Sequence, residues 1–160
     1  MLYSFLKVFA GFCFNLLNLL MLGNLPPLAT VCVVVEQERK VLVVVQPTGE
    51  SVFPGGFVRW REKVEEAAIR ECLEETGLHI RLLDVIGHAS EFSPRITKIS
   101  TLTMIYHAEV IDGELRASVE GQPRWVPEED LHDTLIRRQN PIYDYFLRYR
   151  ARHEQAKIAP

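Results

Sequence analysis

Cysteine is scarce in this chain. There are three in 160 residues, Cys13, Cys32 and Cys72, and no CxxC pair. An odd, scattered set argues against a disulfide framework and against a zinc site. It fits a reducing compartment, so the cytoplasm is the expected location. Excess charge is missing too: 18 Lys+Arg against 21 Asp+Glu leave a formal net charge of −3. A general nucleic-acid binder needs a basic field, and that class is set aside. Internal repeats and low-complexity tracts are absent, which removes solenoids and disordered linkers. What is present is enough length for one domain with its own core.

A coarse pass along the chain gives a mixed α/β order. Residues 29–36 (ATVCVVVE) are rich in β-branched side chains and read as a buried strand. A polar turn at 37–39 leads to a second strand at 41–46, so the pair forms a hairpin. Residues 47–50 read as a loop, and 52–58 lead into a helix at 64–76. Its inner face is Val64, Ala67, Ala68 and Cys72. Residues 80–86 and 101–110 read as strands, and Asp112-Gly113 as a turn. Residues 124–126 read as a short strand, followed by Pro127 and a helical turn. Residues 142–156 read as a charged amphipathic helix.

The densest chemistry lies at 56–78, GFVRWREKVEEAAIRECLEETGL. On a helix, residues three and four apart are neighbours. Glu71, Glu74 and Glu75 therefore crowd one face of one turn. Gly77 is a natural helix terminator, so the three carboxylates also meet the negative end of the helix dipole. A solvated acidic face is the plain reading of such a run. More is specified here, however. Pro54-Gly55-Gly56 allows close backbone approach. Glu62 precedes the helix at the positive end of its dipole, and Arg70 is spaced to pair with Glu66 and Glu74. Carboxylates in an unfavourable place call for a compensating hard cation, Mg²⁺ or Mn²⁺.

This stretch resembles the Nudix box, G-x5-E-x7-R-E-U-x-E-E-x-G-U, where U is aliphatic. Gly56, Glu62, Arg70, Glu71, Glu74, Glu75, Gly77 and Leu78 fall in register. Cys72 fills the first aliphatic position, a mild change because buried Cys behaves as a small hydrophobe. Arg61 stands where many members have Gly, so the loop is expected to follow a different path. The resemblance implies a Nudix-like α/β/α sandwich around a mixed β-sheet. It extends over about residues 29–149.

The resemblance also implies roles. Glu74 and Glu75 would ligate Mg²⁺, and Glu71 would act as ligand or proton acceptor. A carbonyl of Gly55 or Gly56 would add a ligand. Arg70 would orient the carboxylates and Glu62 would anchor the loop. Glu120, in Glu120-Gly121-Gln122-Pro123 before Arg124-Trp125, resembles the residue that a MutT-like loop brings to the metal cluster. Pro94, sixteen residues past the box, resembles a marker of ADP-ribose pyrophosphatases, although Pro is also an ordinary turn residue. Phe53, Trp60, Phe92 and Tyr106 are candidates to stack on a base, and Arg59, Arg61 and Arg95 to hold phosphates.

The function implied is Mg²⁺-dependent hydrolysis of a nucleoside diphosphate linked to another group X, with ADP-ribose first. The alternatives are a catalytically inactive nucleotide-binding regulator of the same fold, and a membrane-associated interaction protein. The expected partner is a small-molecule nucleoside diphosphate derivative, not a nucleic acid.

The N-terminus is not explained by the box. Residues 1–23, MLYSFLKVFAGFCFNLLNLLMLG, are almost wholly apolar. We expect an apolar helix within 1–25, ahead of a domain at 26–160, ending near Gly23-Asn24 before Pro26-Pro27. Ser4, Lys7, Gly11, Asn15 and Asn18 recur every three or four residues and form one narrow stripe. The run is long enough to span a bilayer. A signal peptide is poorly supported, with one Lys, Asn residues in the apolar run and no small-x-small site. A membrane anchor, an interfacial helix and a helix packed on the domain or across a homodimer all stay open. The stripe favours the packed and interfacial versions. Either way, the apolar faces should be covered.

Overall fold

Val31, Val33 and Val35 point to one side of a sheet and Cys32 and Val34 to the other, and all five are buried. An unbroken apolar run needs cover on both faces, as a central strand has. A computed structural model describes residues 2–92, 97–135 and 140–158 of the chain. Pro94, Arg95 and the side chains of Ser4 and Lys7 lie outside the described residues.

The central strand is β1 (Leu28–Gln37). It turns into β2 (Lys40–Val45) as an antiparallel hairpin, Glu36 opposite Val41 and Gln37 opposite Lys40. β3 (Ser51–Val52) pairs with β2, and β4 (Gly55–Phe57) runs antiparallel to β1. The helix α2 (Val64–Thr76) follows, within the limits read from sequence. β5 (Leu78–Glu91) and β6 (Thr101–Gly113) form a long antiparallel pair, and β6 runs parallel to β1. β7 (Gln122–Pro127) pairs antiparallel with β2. The helices α3 (Glu128–Thr134) and α4 (Asn140–Ile158) close the domain.

The sheet is mixed and covered on both sides, an α/β/α sandwich. On one side Ala67, Ala68 and Cys72 of α2 pack on Val31, Val33, Val35, Leu42 and Tyr106. On the other, Leu131, Ile142, Tyr143 and Phe146 of α3 and α4 pack on Cys32, Val34, Val43 and Ile105.

Two expectations need correction. β5 extends to Glu91, well past residue 86, because bulges between His79/Ile80, Leu82/Asp84 and Val85/Gly87 keep it paired while its side-chain parity shifts. Asp112-Gly113 is not a free turn: it ends β6, with Gly113 opposite Leu78.

The N-terminal segment forms α1 (Leu2–Leu20), and turn residues continue to Gly23. Gly11, Asn15 and Asn18 of its polar stripe face the rest of the chain. Gly11 lies so close to the chain that an added Cβ would stand 2.4 Å from the Thr97 carbonyl oxygen. Asn15 Nδ2 donates to the Lys98 carbonyl at 2.9 Å, and Asn18 Oδ1 accepts from the Leu25 amide at 3.0 Å. The rest of the chain does not cover its outer face: Phe9, Phe12, Leu16, Leu17, Leu19 and Leu20 are all exposed. Among the described residues no helix is long and apolar enough to cross a membrane.

Candidate active site

The carboxylates are positioned by where α2 starts and stops. Lys63 precedes it in an extended conformation and contributes no side-chain cap. Glu66 instead reaches back to accept from the Lys63 amide at 3.2 Å. This removes Glu66 from Arg70, the pairing expected from spacing. At the other end Gly77 adopts φ 79° and donates its amide to the Leu73 carbonyl at 2.9 Å. That left-handed residue stops the helix directly after Glu75 and Thr76.

Arg70 is the hub. Its Nε and Nη2 donate to the two oxygens of Glu62 at 2.6 and 2.8 Å, and Nη2 also reaches the Phe57 carbonyl at 3.1 Å. Its Nη1 lies 2.7 Å from Glu71 and 3.2 Å from Glu74. Glu62 in turn accepts from the Arg59 amide at 2.8 Å. The Arg70 hydrogen bonds hold the Glu62 carboxyl down at about 2. Glu62 therefore stays charged and ties the 57–62 loop to the helix.

Arg61, in that loop, adopts φ 62°. This is the left-handed region that glycine takes without strain and other residues rarely adopt. Arg61 thus stands in a backbone conformation suited to Gly.

The acidic groups face differing surroundings. Glu74 is half-exposed, and the Arg59 guanidinium meets both its oxygens, at 3.0 and 2.9 Å. Glu71 lies against Gly56, where an added Cβ would stand 2.6 Å from its carboxyl carbon. Glu75 is 5% exposed and accepts from the Gly55 amide at 3.2 Å. It also shares a hydrogen bond with Glu120, across the sheet-end loop. Burial pushes Glu75 up to about 8, opposed by the Gly55 amide and reinforced by Glu120 and Glu71. Two carboxylates in hydrogen-bond contact need a proton or a cation between them.

The loop that delivers Glu120 is itself pinned. The Arg116 amide donates to the Thr76 carbonyl at 2.9 Å, and the Ser118 amide to the Gly121 carbonyl at 3.0 Å. Ser118 Oγ accepts from the Glu120 amide at 3.1 Å. Glu120 thus reaches Glu75 from a loop 45 positions further along the chain.

A hard divalent cation fits this set in its chemistry. The available donors are carboxylate oxygens with the Gly55 and Gly56 carbonyls nearby. The Gly56 position leaves open the space that a Cβ would fill beside Glu71. Two guanidiniums already stand where positive charge is needed. Among the described residues no three His, Cys, Asp or Glu side chains are gathered into a finished metal cage. The carboxylates are turned to Arg59, Arg70 and the Gly55 amide instead.

The aromatic candidates separate sharply. Phe53 and Tyr106 are core residues, each 3% exposed, and neither is placed to stack on a base. Trp60 and Phe92 are exposed at 88% and 84%. The Arg61 guanidinium lies 5.9 Å from the centre of the Trp60 ring. The contact that sequence reasoning missed is Arg59 on Glu74. Its only signal was an Arg three residues before the loop-anchoring Glu62.

Comparison with known proteins bears on this geometry. A family model described as NUDIX domain matches residues 25–149. The chain is 36% identical over 98 residues to an ADP-ribose pyrophosphatase of Methanocaldococcus jannaschii, covering 58% of this chain and 57% of that protein. It is 38% identical over 74 residues to an oxidized purine nucleoside triphosphate hydrolase of Mus musculus, covering 44% of this chain and 45% of that one. The chain thus spans about half the length of the curated relatives it matches. A solved NUDIX hydrolase of Nitrosomonas europaea superposes with a TM-score of 0.67 at 20% identity, over 76% of this chain and 88% of that one. A MutT protein of Methanosarcina mazei gives a TM-score of 0.66 at 21% identity, over 81% and 97%. At these identities the solved structures speak to the fold alone.

Proposed function

The chain belongs to the Nudix family, and from that premise we propose that it hydrolyses a nucleoside diphosphate joined to a second group X. Water attacks the diphosphate, and ADP-ribose is the leading substrate. The name of the Methanocaldococcus jannaschii relative supports that choice. The observation that carries the reading is Glu75 set against the Gly55 amide and Glu120, with Glu71 against Gly56 and Arg70 tying Glu71 to Glu74.

In this reading Glu71, Glu74, Glu75, Glu120 and a carbonyl of Gly55 or Gly56 would hold Mg²⁺, with Mn²⁺ as substitute. The cation would neutralise the diphosphate oxygens and make a bound water acidic. The protein's own part is positional. Arg70 holds the Glu71 and Glu74 carboxylates in place, and Glu62 holds Arg70. Glu71 serves as ligand or as acceptor of the water's proton. Burial shields the Glu75 carboxyl itself from bulk water.

A panel of diphosphate substrates with Mg²⁺ and with Mn²⁺ tests this. The wild-type chain should cleave at least one member, and Glu74→Gln should lower turnover by on the order of a hundredfold. Wild-type silence across the whole panel would favour the inactive nucleotide-binding alternative. Full activity of Glu74→Gln at limiting Mg²⁺ would remove Glu74 from the site. Membrane association or self-association through α1 is a separate question, read by truncation.

A further inference from the structure

We infer that Arg59 is a tethered cation that occupies Glu74 until a divalent ion takes that carboxylate, and that it then holds the substrate diphosphate. The inference rests on the proposed metal site and adds a residue that moves between two anions.

Glu74 is met by two guanidiniums, and they are held very differently. Arg70 is 16% exposed and is clamped by both oxygens of Glu62 and by the Phe57 carbonyl. It cannot leave without breaking the loop anchor. Arg59 is 59% exposed, and Glu74 is the one acidic side chain its guanidinium touches among the described residues. Its backbone is fixed, because the Arg59 amide donates to Glu62 at 2.8 Å. The side chain can therefore swing on a stationary hinge. Exposed ion pairs hold weakly, so a divalent ion competes with Arg59 for Glu74 readily.

The freed guanidinium has a natural destination. It starts beside a carboxylate that faces the ion, so a phosphate bound to the same ion lies within the sweep of its side chain. Arginine's planar fork matches phosphate oxygens in pairs. The next two residues continue the surface: Trp60 is almost fully exposed, and the Arg61 guanidinium lies over its ring. A loop with two Arg and a bare Trp beside the carboxylates suits a diphosphate attached to an aromatic base.

The test measures binding and needs no turnover. Chelator-stripped wild type, Arg59→Gln, Arg59→Lys and Glu74→Gln are titrated calorimetrically with Mn²⁺ alone, then with ADP at saturating Mn²⁺. Arg59→Gln should bind Mn²⁺ two- to fivefold more tightly than wild type and ADP about tenfold more weakly, since it loses a charge-assisted phosphate contact. Arg59→Lys should fall between on both axes. A merely structural role would move both affinities in the same direction. Unchanged or weaker Mn²⁺ binding by Arg59→Gln, or unchanged ADP binding, overturns the inference. Glu74→Gln separates the two layers. If it binds Mn²⁺ as wild type does, the metal site fails and the role of Arg59 fails with it. If it loses Mn²⁺ while Arg59→Gln behaves as wild type, only the role of Arg59 fails.

Discussion

Replacing Glu75 by Gln should stabilise the metal-free chain and cripple the enzyme. Glu75 is almost fully buried, beside Glu120 and Glu71, and its folded pKa lies at about 8 against an ordinary 4.5. A raised carboxyl pKa means that the folded chain holds a proton that the unfolded chain releases. The group's contribution to stability is fully present below 4.5 and is lost as pH rises through 8. Each unit of the shift corresponds to about 1.4 kcal/mol, so the full span sets an upper bound of roughly 5 kcal/mol. Proton sharing with Glu120 and local relaxation bring the expected loss down to about 2–3 kcal/mol. Gln has nothing to titrate, still accepts from the Gly55 amide and can donate to Glu120. In EDTA, urea melts should show little difference between variant and wild type near about pH 5, and a variant advantage of about 2 kcal/mol near about pH 8. Saturating Mn²⁺ should reverse the order, because only wild type gains from binding it tightly. Turnover should fall by on the order of a hundredfold. A variant less stable than wild type in EDTA across the pH range, or a difference flat with pH, would refute the assignment of Glu75 as a buried, proton-holding carboxyl.

Arg61→Gly should raise stability by about 0.5–1 kcal/mol, the relief of left-handed strain less the added freedom of the unfolded chain. Arg61→Ala, which keeps a Cβ, should show no such gain in the same urea melts. Lys63→Ser should add about 0.5–1 kcal/mol by supplying the missing cap acceptor, and a melt without gain would mean that Glu66 already satisfies the helix start. Removing residues 1–23 should leave the chain folded and turnover near wild type, and should change self-association or recovery from membranes as read by light scattering and fractionation. A truncated chain that is folded yet inactive would place α1 in the substrate site.

What was legible in the sequence was what local chemistry fixes. The limits of α2 follow from Gly77 and from the helical spacing of Ala67, Ala68 and Cys72, and all of these act within a few residues. The hairpin of β1 and β2 follows from two apolar runs around a short polar turn. Glu120 is different. Nothing local links it to Glu75, and only the family resemblance brought the two together before the geometry did. Parity defeated the aromatic candidates. Tyr106 belongs to a strand with apolar residues on both faces, so sequence could not say which of its side chains face solvent. Arg70 chose Glu62 and Glu71 over Glu66 because Glu66 is held by the helix start, a competition that pairwise spacing does not register.

The same contrast governs α1. Helical geometry places its residues about 100° apart. Gly11, Asn15 and Asn18 then fall on the docked side, and Phe9, Phe12, Leu16, Leu17, Leu19 and Leu20 spread over an outward arc of roughly 160°. An ordinary surface helix turns its apolar side inward, and this one is reversed. The reason lies in the stripe. Gly11 permits contact with the chain at Thr97, and the two Asn side chains find backbone partners at Lys98 and Leu25 that lipid or a second apolar helix face would not supply. Each such bond contributes about 0.5–1.5 kcal/mol net. Burial of the outer arc, at about 25 cal/mol per Å², offers several times that sum. The docked stripe therefore fixes which way α1 faces, and it leaves the apolar arc exposed in the single chain. The box carboxylates take no part in that choice.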